Sequence, residues 1–149
     1  AYPIISIEDP VAEDDAEGFV AFTRAHGDRC QVIGDDFLVT NAARVRKAAT
    51  DGATTAVLIK PNQAGTGTET RAALDAGKAA GFGTIVSARS GETEDVTIVP
   101  LAVGWDAGQL KVGSFSRSER MAKWNECLRI EEALGGDAVF AGRDALGFR

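Results

Sequence analysis

Five short apolar runs recur along this chain, and their recurrence limits the fold more than any other feature. They read PIISIE (3–8), CQVIGD (30–35), TAVLIK (55–60), GTIVSA (83–88) and QLKVG (109–113), with starts about 25 residues apart. Each is bounded by Gly, Asp or Asn, as strands are. The runs are continuous rather than alternating, which suits strands covered on both faces of a parallel sheet.

Helical stretches fill the gaps. Residues 12–26 carry Ala16, Phe19, Val20 and Thr23 at helical spacing. Residues 41–51 open on Asn41, a good N-cap, and residues 68–80 are alanine-rich and stop at Gly81, a good C-terminal glycine. The strongest pattern covers 117–134. There Ser116 and Glu119 have capping-box spacing, and Met121, Trp124, Leu128 and Leu134 mark one apolar face. Over 93–104 the reading is a short or kinked helix, because Pro100 would cost a helix interior on the order of 3 kcal/mol.

Strand–helix alternation, five times over, implies an α/β fold with right-handed crossovers. An open doubly wound sheet fits. So does part of a (β/α)8 barrel, a closed architecture that needs about 250 residues. The chain has 149 residues, enough for one domain with a sizeable core. Five units cannot close such a barrel.

Composition excludes several classes of function. No apolar stretch approaches the roughly 18 residues needed to cross a bilayer. A net charge of −6 argues against nucleic acid as a main partner. AYPIISIEDP has no basic segment followed by a long apolar one, so no secretory signal is expected there. Cys30 and Cys127 are too far apart for a cysteine cluster and read as small apolar side chains, which makes a reducing, cytoplasmic setting the expectation.

The polar residues fall in one place. At or just past the end of each strand stand Glu8 and Asp9, then Asp35 and Asp36, then Lys60 with Asn62 and Gln63, then Arg89 and Ser90, and last Lys111. The C-terminal strand ends are where α/β folds carry function. Glu8 and Asp35, from adjacent strands, would repel unless a cation came between them, and Mg2+ is commonly held by one or two carboxylates plus substrate phosphate and water. Lys60 follows four apolar residues, so partial desolvation is expected, the setting in which an amine can serve as a base. Arg89 offers a planar fork that grips phosphate bidentately, with the Ser90 hydroxyl beside it. His26, the only histidine, sits at a helix end and takes no catalytic part. AGTGTET (64–70) lacks the lysine of a phosphate loop and reads as a loop entering a helix.

SIEDP (6–10), GDDFLVTN (34–41), LIKPNQAGTGTET (58–70), VSARSGETED (86–95) and KVGSFSRSERMAKWNECLRIEEALG (111–135) resemble the C-terminal portion of enolase, the glycolytic phosphopyruvate hydratase. The resemblance runs over nearly the whole chain, in order. It implies a (β/α) barrel of enolase type, here a partial barrel of about five βα units. It implies Mg2+-dependent interconversion of 2-phosphoglycerate and phosphoenolpyruvate. By motif, Glu8 and Asp35 match metal ligands, Glu8 lying at the substrate as well. Lys60 matches the base that removes the carbon-bound proton, and Lys111 the catalytic lysine that contacts the substrate carboxylate and helps stabilise the enediolate. Arg89 and Ser90 match phosphate-binding positions.

Two departures qualify what the resemblance implies. The family carries histidine where this chain has Ala88, in the phosphate and acid–base region; Pro61 and Pro100 are lesser changes. The family also has a separate N-terminal domain and first barrel strands, which supply a third metal carboxylate and the acid-side glutamates. Activity is therefore expected to need that part or a partner chain, with self-association or a complementing polypeptide covering the open sheet edges. The alternatives are an altered relative acting on another phospho- or phosphono-carboxylate, and a non-catalytic partial-barrel module.

Overall fold

The computed structural model describes residues 2–146. Ala1 and residues 147–149, which the one-domain reading includes, lie outside the described residues. Five strands, β1 (Ser6–Glu8), β2 (Gln31–Gly34), β3 (Ala56–Ile59), β4 (Gly83–Ser87) and β5 (Gly108–Lys111), form one sheet in sequence order. Every neighbouring pair is parallel. Between and after them run α1 (Ala16–His26), α2 (Ala42–Asp51), α3 (Pro61–Ala64), α4 (Gly67–Ala79), α5 (Ile98–Gly104) and α6 (Ser118–Leu134). The order β1-β2-β3-β4-β5, with no strand returning to the other side, is that of a half-barrel rather than a doubly wound sheet.

Alternation along the strands separates two packing layers. Val57, Ile59 and Val86 face the helices and join Phe19, Leu38, Val45 and Leu74 in the main core. On the other face, Ile33, Ala56, Leu58 and Ile85 form a cluster of four. Below that cluster the concave face is polar. Gln31 accepts from the Ser6 hydroxyl and donates to the Leu146 carbonyl, while Gln109 donates to Ala145. Residues 142–146, a short 3-10 turn, therefore plug the N-terminal end of the half-barrel.

Local chemistry explains most helix ends. Asp15 caps α1 and Asn41 caps α2, the latter through two backbone N–H groups. Gly81, just past α4, has φ 75°, which only glycine adopts without strain. Pro100 lies in the first turn of the seven-residue α5, where its missing N–H has no intrahelical acceptor to lose. Pro61 opens the one-turn α3 in the same way.

Helix α6 differs from the sequence reading in two respects. Its cap is Arg117, with φ 70° and no side-chain bond; Ser116 instead contacts the Ser114 hydroxyl, and Glu119 pairs with Arg117. The capping box does not form because the chain enters the helix from a left-handed residue, which turns Ser116 away. The apolar face is also displaced: Met121, Leu128 and Leu134 are exposed, and the buried α6 residues are Arg120 and Lys123. Trp124 stacks on exposed Phe115 and donates to the Ser114 carbonyl.

Candidate functional site at the C-terminal strand ends

The site is built from short extensions past each strand. Beyond β1 the backbone turns at Asp9, φ 40°, whose two carboxylate oxygens accept the N–H groups of Asp35 (2.9 Å) and Asp36 (2.8 Å). Asp9 thus clips the end of β1 to the end of β2. The stacked rings of Phe19 and Phe37, centroids 4.1 Å apart, anchor the following loop to α1. Asp35 is 7% exposed. Its Oδ2 lies 2.5 Å from Lys60 Nζ, whereas its buried Oδ1 has no hydrogen-bond partner.

Lys60 is held at both ends. Its backbone N–H donates to the Thr40 hydroxyl at 3.0 Å, which in turn donates to Gln63. Val39 and Thr40 both have positive φ, 46° and 52°, an uncommon conformation for β-branched residues. Backbone strain of this kind collects at sites whose geometry is fixed by their surroundings. The expectation of a desolvated Lys60 agrees with its 8% exposure, and its Nζ faces the Asp35 carboxylate.

Across the mouth, Lys111 on β5 pairs with Glu8 on β1. Just past β4, the Ala88 N–H donates to the Lys111 carbonyl and continues the pairing beyond the strand end. Ala88 is buried, Arg89 half-buried and Ser90 exposed. The Arg89 guanidinium reaches Asn62 at 3.4 Å, joining the β4 and β3 ends. Glu8, Asp35, Lys60, Arg89, Ser90 and Lys111 therefore share one rim, and within it the structure pairs Glu8 with Lys111 and Asp35 with Lys60.

The carboxylates that converge closely are Asp9, Asp35 and Asp36, with ligand oxygens within 4.8 Å of one another. Asp35 is common to this cluster and to the pair read from sequence. Asp9 and Asp36, although seen at the strand ends, were not matched to a metal.

Sequence reasoning missed three further residues around Arg89 and Ser90. Glu92 Oε1 accepts the Arg89 N–H at 2.5 Å. Arg120, 6% exposed, donates to the carbonyls of Arg89, Ser90 and Val112 at 2.8–2.9 Å. Lys123, fully buried, pairs with Glu92 at 2.9 Å and donates to Thr93 and Glu119. The available signal was two basic residues three apart, hence on one side of a helix.

Among the described residues no helix is long and apolar enough to cross a membrane. The family model described as enolase, C-terminal TIM barrel domain, matches residues 1–147. Parallel strands in sequence order, with charged groups gathered at their C-terminal ends, agree with that match over nearly the whole length. The chain belongs to the enolase C-terminal TIM barrel domain family.

Proposed function

We propose that this chain carries the proton-abstracting and phosphate-gripping part of an enolase-type lyase that interconverts 2-phosphoglycerate and phosphoenolpyruvate with Mg2+. The observation that carries the proposal is the buried, unpartnered Oδ1 of Asp35 beside Lys60 Nζ. A buried carboxylate oxygen without a donor is costly unless a cation takes it. Asp35, with Glu8, Asp9 and Asp36 nearby on the same rim, supplies the hard oxygen donors that Mg2+ takes. When bound, the ion neutralises charge on the substrate's carboxylate end.

The chain's own residues supply the rest. The neutral amine of Lys60 takes the proton from the carbon next to the carboxylate, and the electron pair moves toward that carboxylate. Lys111 stabilises the added charge there. Arg89 and Ser90 hold the phosphate and thereby orient the carbon for proton transfer. The hydroxyl leaving the next carbon takes its proton from a group outside this five-stranded sheet. The polypeptide that supplies it covers the edges at β1 and β5, beside exposed Tyr2, Ile4 and Ile5 ahead of β1 and exposed Phe115 after β5.

The test is dehydration of 2-phosphoglycerate with Mg2+, run on the chain alone and with any co-purifying polypeptide. Turnover that disappears in Lys60→Ala supports the proposal; none in either arm rejects it. Ala88 favours a second reading, an altered relative acting on another phospho- or phosphono-carboxylate. Under that reading Ala88→His raises 2-phosphoglycerate turnover, and unchanged turnover rejects it.

A further inference from the structure

We infer that Arg120 and Lys123 are positioning residues for the phosphate grip, locking the segment 88–93 so that Arg89 and Ser90 are presented in one conformation. The inference rests on the function proposed above for Arg89 and Ser90.

The geometry is a two-point clamp. One guanidinium, that of Arg120, ties the Arg89 and Ser90 carbonyls to the Val112 carbonyl just past β5. The second point is Lys123. Its three donors reach the Glu92 carboxylate, the Thr93 carbonyl and the Glu119 carbonyl, which uses all of its hydrogens. Both Glu92 oxygens are also engaged, one by Lys123 and the other by the Arg89 N–H. The backbone of 89–93 is therefore bonded at three residues, Arg89, Ser90 and Thr93, all through side chains and none through a strand ladder.

Two buried cations on one helix are hard to explain by packing alone. Burying a charge is costly unless it is hydrogen-bonded. Among the described residues Arg120 forms no ion pair, so its charge is met by carbonyl dipoles only. Two of those three carbonyls belong to Arg89 and Ser90, the residues whose side chains face the substrate in the proposed site. Fixing the backbone with bonds pointing inward leaves the Ser90 hydroxyl, and the Arg89 fork apart from its 3.4 Å contact with Asn62, available for an anion. Preorganised donors of this kind bind without a reordering cost.

The test combines amide hydrogen exchange with affinity for 2-phosphoglycerate, measured on the chain alone and with any co-purifying polypeptide. The variants are Arg120→Lys, Glu92→Gln and, as a control that removes the grip but not the clamp, Arg89→Lys. Arg120→Lys keeps a charge but cannot span three carbonyls, and Glu92→Gln keeps an acceptor but breaks the pair with Lys123. Both speed exchange of amides 89–93 at least tenfold, leave β2 and β3 unchanged, and weaken affinity by about tenfold or more. Arg89→Lys lowers affinity without changing exchange. Unaltered exchange at 89–93 in the clamp variants overturns the clamp. Faster exchange with undiminished affinity overturns its role in binding. A parent chain that does not bind 2-phosphoglycerate, either alone or with any co-purifying polypeptide, rejects the functional reading and the role in binding together, while the exchange data still decide whether Arg120 and Lys123 hold the segment.

Discussion

Glu8 and Lys111 touch, although they stand on the two edge strands of a five-stranded sheet. In a flat sheet four strand spacings would set β1 and β5 about 19 Å apart, further than two side chains can reach. The contact therefore measures curvature: the sheet has already bent far enough for its ends to face each other across the rim. Both partners are partly exposed, Lys111 at 41% and Glu8 at 32% of their side chains. A double-mutant cycle with Lys111→Met and Glu8→Gln is expected to give a coupling below about 1 kcal/mol, shrinking further in high salt. A coupling of several kcal/mol would mean that the pair holds the curve rather than reports it.

Lys60 and Asp35 behave differently, because both are buried. Lys60→Met leaves the Asp35 carboxylate buried with neither oxygen paired. The expected loss is about 3 kcal/mol or more in urea unfolding with chelator present, with part of it recovered by Mg2+. Recovery by Mg2+ that persists in a Lys60→Met/Asp35→Asn double variant would show that the ion binds elsewhere.

Gly34 precedes Asp35 for a steric reason. A Cβ at that position would lie 2.5 Å from Leu38 Cγ and 2.6 Å from Leu38 Cδ1, and Leu38 is 1% exposed. Gly34→Ala should lower stability by about 1–3 kcal/mol and shift Asp35, seen as a lower melting temperature and weaker Mg2+ binding. A melting curve matching the parent would show that Leu38 can move aside.

The two thiols give a pH dependence. Burial pushes the Cys30 thiol up, the nearby Arg29 charge opposing it weakly, and burial likewise raises Cys127. A raised thiol binds its proton more tightly in the folded chain. Its contribution to stability is therefore complete below the ordinary thiol range and lost as pH rises through the folded value. Unfolding at increasing alkaline pH should show this decline, and Cys30→Ala/Cys127→Ala should flatten it. Both thiols should also react with a maleimide more slowly than a free cysteine near neutral pH.

The fold was legible because β2, β3 and β4 are buried along their whole length, so each carries adjacent Val, Ile or Leu residues, pure in the AVLI of β3 and flanked by Gln, Gly, Thr and Ser in the other two. Residues such as Asn41 and Gly81 marked helix ends through their own backbone chemistry. α3 was missed because one turn is too short for a period to show. α6 was misjudged because its inward face is charged: Arg120 and Lys123 meet carbonyls and Glu92, partners contributed from about 30 residues away. At the site, strand-end position alone brought Glu8, Asp35, Lys60, Arg89, Ser90 and Lys111 onto one rim. What position could not reveal was pairing. That Lys60 takes Asp35 while Lys111 takes Glu8 depends on curvature, and the clip made by Asp9 depends on a left-handed turn that no neighbouring residue announces.

The unequal packing on the two faces of the sheet bears on how such a molecule can change. Most apolar contact lies on the helix side, where Phe19, Val57, Ile59 and Leu74 are packed; the concave side contributes a small cluster and a layer of glutamines. Stability and chemistry are thus carried by different surfaces of the same strands. Rim positions away from the buried Asp35–Lys60 pair can vary in size and charge while the outer layer keeps the chain folded. Such a scaffold can drift in substrate preference one residue at a time, without passing through unfolded intermediates on the way.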